Sequence, residues 1–270
     1  MLPIHVIQAT SRGVRSALDG LLALLLAPRC AACEALLSRP LDGAVCEGCW
    51  ERIRLITPPA CRLCGDPLPS WRTATLENGT CPRCRRAPGH IDRGGSAGHY
   101  EGALRSIVHA LKYEGRRSIA PDLAALMRSR CRDLLLDADA IVPVPLHARR
   151  LRARGFNQAE EIARHLELPV MACLWRQRDT QPQNELPASR RHRNVRDAFG
   201  LKETRAGAWR RGRWGQPCAD SPSIAGKRLV LVDDVSTTGA TLQECARMLK
   251  LGGAREVRAV TAARVVRSRP

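Results

Sequence analysis

Eight of the twelve cysteines in this 270-residue chain fall into four C-x2-C pairs. That spacing constrains the fold more than any other feature of the sequence. Cys30, Cys33, Cys46 and Cys49 read C-x2-C-x12-C-x2-C, and Cys61, Cys64, Cys81 and Cys84 read C-x2-C-x16-C-x2-C. Two thiolates separated by two residues can share one tight turn, and two such turns supply the four soft ligands of a tetrahedral zinc site. Paired spacing of this kind is a metal pattern rather than a disulfide scaffold, so a reducing, cytoplasmic setting is implied. One or two structural zinc sites are expected, because a closed thiolate shell leaves no open position for a substrate. Pairing in sequence order is the simplest assignment, and an interleaved order satisfies the ligand count equally. Cys131, Cys173, Cys218 and Cys245 are isolated and read as ordinary core or surface residues.

The metal pattern occupies one part of the chain only. At the N-terminus, "LDGLLALLLAPRC" follows Arg12 and Arg15 and imitates a signal peptide. Its apolar run of about ten residues is too short to span a bilayer, and "APRC" is a poor cleavage site. Residues 1–27 therefore read as one amphipathic or buried helix ending at Pro28, and no transmembrane segment is expected. Residues 28–90 carry the cysteine pairs among many Pro and Gly with little periodicity, as a small metal-stapled module does. "RRAPGHIDRGG" reads as a linker or the approach to a first strand. Two helical patterns follow in "ALRSIVHALKYEGRRSIAPDLAALMRSRCRDLLL". "ADAIVPVPL" is a buried strand ended by its prolines, "QAEEIARHLEL" a helix and "PVMACLWRQ" a short strand. Residues 176–200 show no clean period. Residues 203–226 look like an exposed insertion. A strand at 228–233, a helix at 240–251, a turn at 252–254 and a last strand in "EVRAVTAARVV" complete the chain. Strands alternating with helices over 91–270 predict an α/β domain with a mainly parallel sheet. Aromatic residues make up only 3%, so its core must rest on Leu, Ala, Val and Ile.

The functional signal lies in "RLVLVDDVSTTGATLQECARML", residues 228–249. Packing gives no reason for a strand to end on two adjacent acids. At the C-terminal edge of a parallel sheet, however, ligands bind in open α/β folds. The loop after the acids offers backbone N–H groups, a glycine for close approach, and the hydroxyls of Ser236, Thr237, Thr238 and Thr241. With Gly239, Ala240 and the N-terminus of the following helix these make a phosphate cradle. Asp233 and Asp234 can accept hydrogen bonds from vicinal hydroxyls or approach magnesium. A diol beside a phosphate describes a ribose 5-phosphate. Neither G-x-x-x-x-G-K-[ST] nor G-x-G-x-x-G occurs, which excludes those nucleotide-binding loops. The stretch "LVLVDDVSTTGAT" resembles the phosphoribosyl pyrophosphate (PRPP) motif of type I phosphoribosyltransferases. That resemblance implies a pyrophosphate loop after an earlier strand and a loop that covers the site.

The chain carries 40 Arg and four Lys against 26 acids, a formal charge of +18, which suggests polyanionic partners. Residues 141–216 alone hold an excess of nine positive charges. Within them, "IVPVPLHARRLRARGFNQAEEIA" opens on a strand and carries Arg149, Arg150, Arg152 and Arg154, whose guanidinium forks suit a pyrophosphate. "RDTQPQNELPASRRHRNVRDAF", residues 178–199, is where a covering loop belongs, with Arg178 and Gln183 on it. Lys112 joins Arg149 and Arg150 as a pyrophosphate candidate.

Taken together, "PRCAAC", "CEGCW", "CRLCGDPL", "CPRC", "HALKYEGR", "VPVPLHARRLRARGFNQA", "RDTQPQNEL", "RRHRNV" and "LVLVDDVSTTGAT" resemble the ComF family. That family joins an N-terminal double zinc ribbon, here 28–90, to a phosphoribosyltransferase-like domain, here 91–270. The resemblance implies a PRPP-binding protein with magnesium that assists single-stranded DNA uptake or DNA utilisation. It would act at the cytoplasmic side of the inner membrane, beside a helicase-like partner. Two roles follow. As an enzyme, the chain would transfer a phosphoribosyl group in nucleotide or base salvage, with Asp233 and Asp234 as the catalytic acids and an unidentified acceptor. As an adaptor, it would bind single-stranded DNA through basic residues, with Trp175, Trp209 or Trp214 stacking on bases.

Overall fold

Val, Ile, Leu and Ala runs at three places in the chain become the centre of a four-stranded parallel sheet. The computed structural model describes residues 18–22, 24–76, 78–178, 197–202 and 223–266. Its α/β domain runs β1 (Arg93–His99), α1 (Gly102–Tyr113), α2 (Ala120–Arg130), β2 (Ala140–Pro143), α3 (Ala148–Arg154), α4 (Gln158–Ala163), β3 (Leu174–Arg176), β4 (Phe199–Leu201), β5 (Arg228–Ser236), α5 (Ala240–Leu251) and β6 (Glu256–Arg264). The sheet order is β1-β6-β5-β2, all parallel, and β3 and β4 form a separate antiparallel pair.

Side chains alternate across each strand. Val230 and Val232 of β5 join a core with Leu104, Ile107 and Leu111 of α1 and Leu123 of α2. Leu229 and Leu231 join a second core with Leu242, Cys245 and Leu249 of α5. Both faces are thus covered, as a parallel sheet requires.

The first zinc ribbon is not an appendage. Cys30, Leu37, Val45, Cys49 and Ile53 belong to the same core as α1. The second ribbon has a small core of its own, Cys61, Leu68 and Cys81, and together with the segment that leads into it covers the open edge of β1. There His99 N–H donates to Arg54 O at 2.8 Å, Ile56 N–H to Ala97 O at 3.0 Å, and Gly94 N–H to Arg62 O at 2.8 Å. Covering an edge strand in this way protects its unpaired backbone groups.

The structure differs from the sequence reading in several places. The segment read as a linker or the approach to a first strand does lead into one: its last three residues open the parallel strand β1 (Arg93–His99). Its "RGG" start hid its extent, because glycine is disfavoured in strands. The glycines are there for the ribbon: a Cβ on Gly94 would meet Leu63 O at 2.7 Å, and one on Gly65 (φ +72°) would meet Gly95 Cα at 2.9 Å. Strand β5 does not stop at Asp233 but continues to Ser236, because Asp233, Val235 and Ser236 still pair with β6. The helix read into "QAEEIARHLEL" is only six residues long, capped by the Asn157 side chain. The described part of the N-terminal helix is not buried. Asp19 is buried, and its carboxylate accepts from Leu41 N–H at 2.9 Å. Leu18, Leu21 and Leu24–Leu26 are exposed, so of the two alternatives, amphipathic or buried, the buried one does not hold for these residues.

Candidate functional site

Because β5 and β2 are parallel neighbours, the loops after them open on the same edge of the sheet. After β5 come Asp233–Ser236, the turn through Thr237 and Thr238, and Gly239 in the left-handed region (φ +78°) as the N-cap of α5. Thr238 Oγ1 accepts from Ala240 N–H at 3.4 Å, near the limit of a hydrogen bond. After β2, Val144 N–H still pairs with Val232 O at 2.9 Å, and the chain then enters α3. His147 caps that helix, its Nδ1 accepting from Arg149 N–H at 3.3 Å. Arg149 is exposed and Arg150 half-buried at its start. The acid-bearing loop and the arginine-bearing loop therefore stand side by side.

The strand alternation separates the two acids. Asp234 faces α1, where its Oδ2 lies 2.9 Å from Lys112 Nζ. Burial works against the charge on Lys112, but the carboxylates of Asp234 and Asp233 hold its pKa above the usual lysine value. Asp233 faces the α5 side and accepts from the backbone N–H of Asp234 at 2.9 Å. Burial, followed by the charge of Asp234, pushes its carboxyl above the ordinary carboxylate range, against the pull of Lys112. The lysine expected on a pyrophosphate is thus, in the ligand-free protein, the counter-ion of the second acid.

The hydroxyl of Ser236, expected in the phosphate cradle, is buried and accepts from Arg264 Nη1 at 3.1 Å. Arg264 was missed by sequence reasoning. The available signal was an arginine ending the otherwise apolar run of β6. Arg178 is exposed and lies just after β3. Gln183 falls in 179–196, outside the described residues, as do Trp209, Trp214, Cys218 and most of the expected insertion. Arg176 of β3 bridges to His147, so the β3–β4 pair abuts the arginine-bearing loop.

The cysteines gather in sequence order: Cys30, Cys33, Cys46 and Cys49 in one cluster and Cys61, Cys64, Cys81 and Cys84 in the other, with the Sγ atoms of each within 4.8 Å of one another. The Sγ–Sγ separations for Cys30–Cys49, Cys33–Cys46 and Cys64–Cys81 are each 3.8 Å. A tetrahedron with Zn–S bonds of about 2.3 Å has edges of about 3.8 Å, so both donor sets fit zinc. Backbone N–H groups aim at the sulfurs, Cys46 to Cys30 and Cys81 to Cys61, both at 3.3 Å. Arg52 adds a guanidinium donor to Cys49 Sγ at 3.2 Å. Cys131 and Cys245 are buried and Cys173 half-buried, as ordinary core residues are.

A cavity of about 410 Å³ opens between the second ribbon and the phosphate loop. Cys64 and Arg83 wall it on one side, Ser236, Thr238 and Gly239 on the other, and Arg264 between them. Neither Asp233 nor Asp234 lines it.

A parallel α/β domain with this loop, fused to two four-cysteine ribbons, defines a phosphoribosyltransferase-type protein with a double zinc ribbon. The family models agree: the double zinc ribbon domain matches residues 21–85 and the phosphoribosyl transferase domain residues 136–269. The DNA utilization protein YhgH of Salmonella typhimurium is 33% identical over 225 residues, covering 79% of this chain and 87% of that protein. Competence protein F of Haemophilus influenzae is 29% identical over 239 residues, covering 85% and 93%. Competence protein ComFC of Bacillus subtilis is 26% identical over 231 residues, covering 82% and 84%. The chain belongs to the ComF family.

Proposed function

We propose that this protein binds a phosphoribosyl ligand, PRPP with magnesium, and serves single-stranded DNA uptake or utilisation at the cytoplasmic side of the inner membrane. The observation that carries the reading is the convergence at one sheet edge of an acid pair, a left-handed glycine and the N-terminus of a twelve-residue helix, beside an arginine-bearing loop. Asp233 and Asp234 accept from the ribose hydroxyls. The loop 236–241 takes the 5-phosphate through backbone N–H groups and the helix end. Arg149 and Arg150 take the pyrophosphate, and Arg178 and Gln183 belong to the covering segment. Magnesium, a hard cation with oxygen ligands, neutralises pyrophosphate charge when bound. No side chain of the site is required as a nucleophile, since the chain's task is to position diol, phosphate and pyrophosphate together.

The names of the relatives, competence and DNA utilisation, favour this role over base salvage. The basic chain supports a polyanionic partner, and among the described residues no helix is long and apolar enough to cross a membrane. Calorimetry with magnesium-PRPP tests the ligand: the Asp233→Asn/Asp234→Asn double variant should lose binding while keeping two zinc ions per chain. Equal affinity in that variant refutes the site. Single-stranded DNA should bind at low salt and weaken steeply as salt rises, with a log–log slope of about −0.7 per phosphate neutralised. No binding at low salt refutes the DNA role.

A further inference from the structure

Arg264 is the last residue of β6 and among the most deeply buried charged groups in the described structure, 1% exposed. Its guanidinium is shared between two modules. On the ribbon side, Nε donates to Asp66 Oδ1 at 2.9 Å and Nη1 donates to the carbonyl of the zinc-ligand residue Cys64 at 2.7 Å. On the other side, the same Nη1 donates to Ser236 Oγ at 3.1 Å. Ser236 is the residue at which β5 turns into the phosphate loop, and its carbonyl accepts from Val265 N–H at 2.9 Å, one residue beyond Arg264.

Asp66 and Cys64 belong to the turn that carries Cys61 and Cys64, which is braced by Cys61 N–H to Asp66 O and Gly65 N–H to Cys61 O, both at 2.7 Å, and which metal ligation of its two thiolates would fix further. Ionic and backbone contacts to a buried guanidinium are directional, because the fork is planar and its donors are fixed. Moving the Cys64 carbonyl therefore moves the guanidinium, and with it the hydroxyl at the base of the loop. The remaining nitrogen, Nη2, is buried with no hydrogen-bond partner in the described structure. Buried donors are ordinarily satisfied, so an arginine held this way is not explained by packing alone. It lines the cavity shared by ribbon and loop.

We propose that Arg264 is a positioning residue through which the second zinc ribbon sets the phosphate loop, so that the state of that ribbon governs affinity for the phosphoribosyl ligand. This rests on the ligand reading given above. The ribbon is then a working part of the binding site, and loss of metal from the Cys61–Cys84 cluster releases the loop before it unfolds the sheet.

The test begins from the ribbon side. Asp66→Asn removes the charge that orients Arg264 while leaving all eight cysteines and the phosphate loop unaltered. With two zinc ions per chain retained, it should bind magnesium-PRPP about tenfold more weakly, the effect typical of losing a partner that orients a binding group. Its ligand-free amides at 236–241 should exchange hydrogen faster. Arg264→Gln should do the same, and Arg264→Lys should recover only part of the affinity, because a single ammonium nitrogen cannot reproduce the spread of the planar fork, which meets these acceptors through Nε and Nη1. In a Ser236→Ala background Asp66→Asn should have almost no further effect, since the link is already cut. Wild-type affinity and exchange in zinc-replete Asp66→Asn and Arg264→Gln would overturn the proposal. So would full additivity of Asp66→Asn and Ser236→Ala. If the wild-type protein itself binds no PRPP, the ligand reading fails instead. The exchange rates at 236–241 then decide the linkage by themselves: faster exchange in Asp66→Asn upholds it, unchanged exchange overturns it.

Discussion

Replacing Lys112 with Met should cost the protein about 3 kcal/mol, and replacing its partner as well should return most of that loss. Lys112 Nζ and Asp234 Oδ2 are 2.9 Å apart, with side chains 17% and 3% exposed. At that separation the attraction is about 6 kcal/mol at an effective dielectric constant near 20. Desolvation of both groups offsets much of it. Removing one partner of a buried pair costs about 3–5 kcal/mol, because the other charge stays buried alone. Lys112 retains some solvent contact, so the lower end applies. For an α/β domain of this size, 1 kcal/mol moves the melting temperature by about 2–4 °C. Lys112→Met should therefore melt about 6–12 °C lower by far-UV circular dichroism in zinc-replete buffer. Asp234→Asn should be destabilising too, since it strands the lysine. The double variant Lys112→Met/Asp234→Asn should be more stable than Lys112→Met alone, with a coupling of at least about 1.5 kcal/mol. A Lys112→Met loss below about 0.5 kcal/mol, or simple additivity in the double variant, refutes the buried-pair argument. It would mean that the lysine serves the ligand alone.

Other consequences are open to measurement. Burial and the charge of Asp234 raise the Asp233 carboxyl from its ordinary 3.8 to about 8, so the folded chain holds that proton more tightly than the unfolded one. The stability that this group contributes should then be greatest on the acid side and decline as pH rises from about 4 towards 8. Asp233→Asn should flatten the decline and raise the melting temperature at pH 8, and an unchanged slope across pH 5–9 would refute the assignment. Gly239→Ala forces a φ of +78° on a residue with a Cβ, at about 1–2 kcal/mol. Since nothing else crowds that Cβ within 3.9 Å, the strain should appear as about tenfold weaker PRPP binding with little loss of fold. Removing a ligand from the first zinc cluster should be worse than removing one from the second. Cys49→Ser opens the core shared with α1, whereas Cys61 belongs to a small cluster of its own. Far-UV circular dichroism should show Cys49→Ser losing sheet and helix signal under conditions where Cys61→Ser keeps them.

How much of this was legible in the sequence follows from how local each determinant is. Four thiolates around one ion fix their own spacing, so the two clusters could be read from cysteine positions alone. Only the choice between sequential and interleaved pairing needed coordinates. The motif 233–241 was equally visible, because acid pair, hydroxyls and glycine are consecutive in the chain. The extent of strand β1 was not legible, because its glycines answer to a ribbon some thirty residues earlier rather than to the sheet. The extension of β5 to Ser236 depends on a partner strand that no local pattern announces. The pairing of Lys112 with Asp234 spans 122 residues, and the Arg264 bridge to Cys64 spans 200. Both are contacts between a charge and a place, and sequence records the charge but not the place. What stayed hidden is therefore of one kind: polar groups inside the fold whose partners lie far along the chain. One of them, Arg264, joins the second ribbon to the loop that begins at Ser236. A reading that stops at local motifs finds two modules, whereas the buried Arg264 hydrogen-bonds to both, to Asp66 and Cys64 of the ribbon and to Ser236 of the loop.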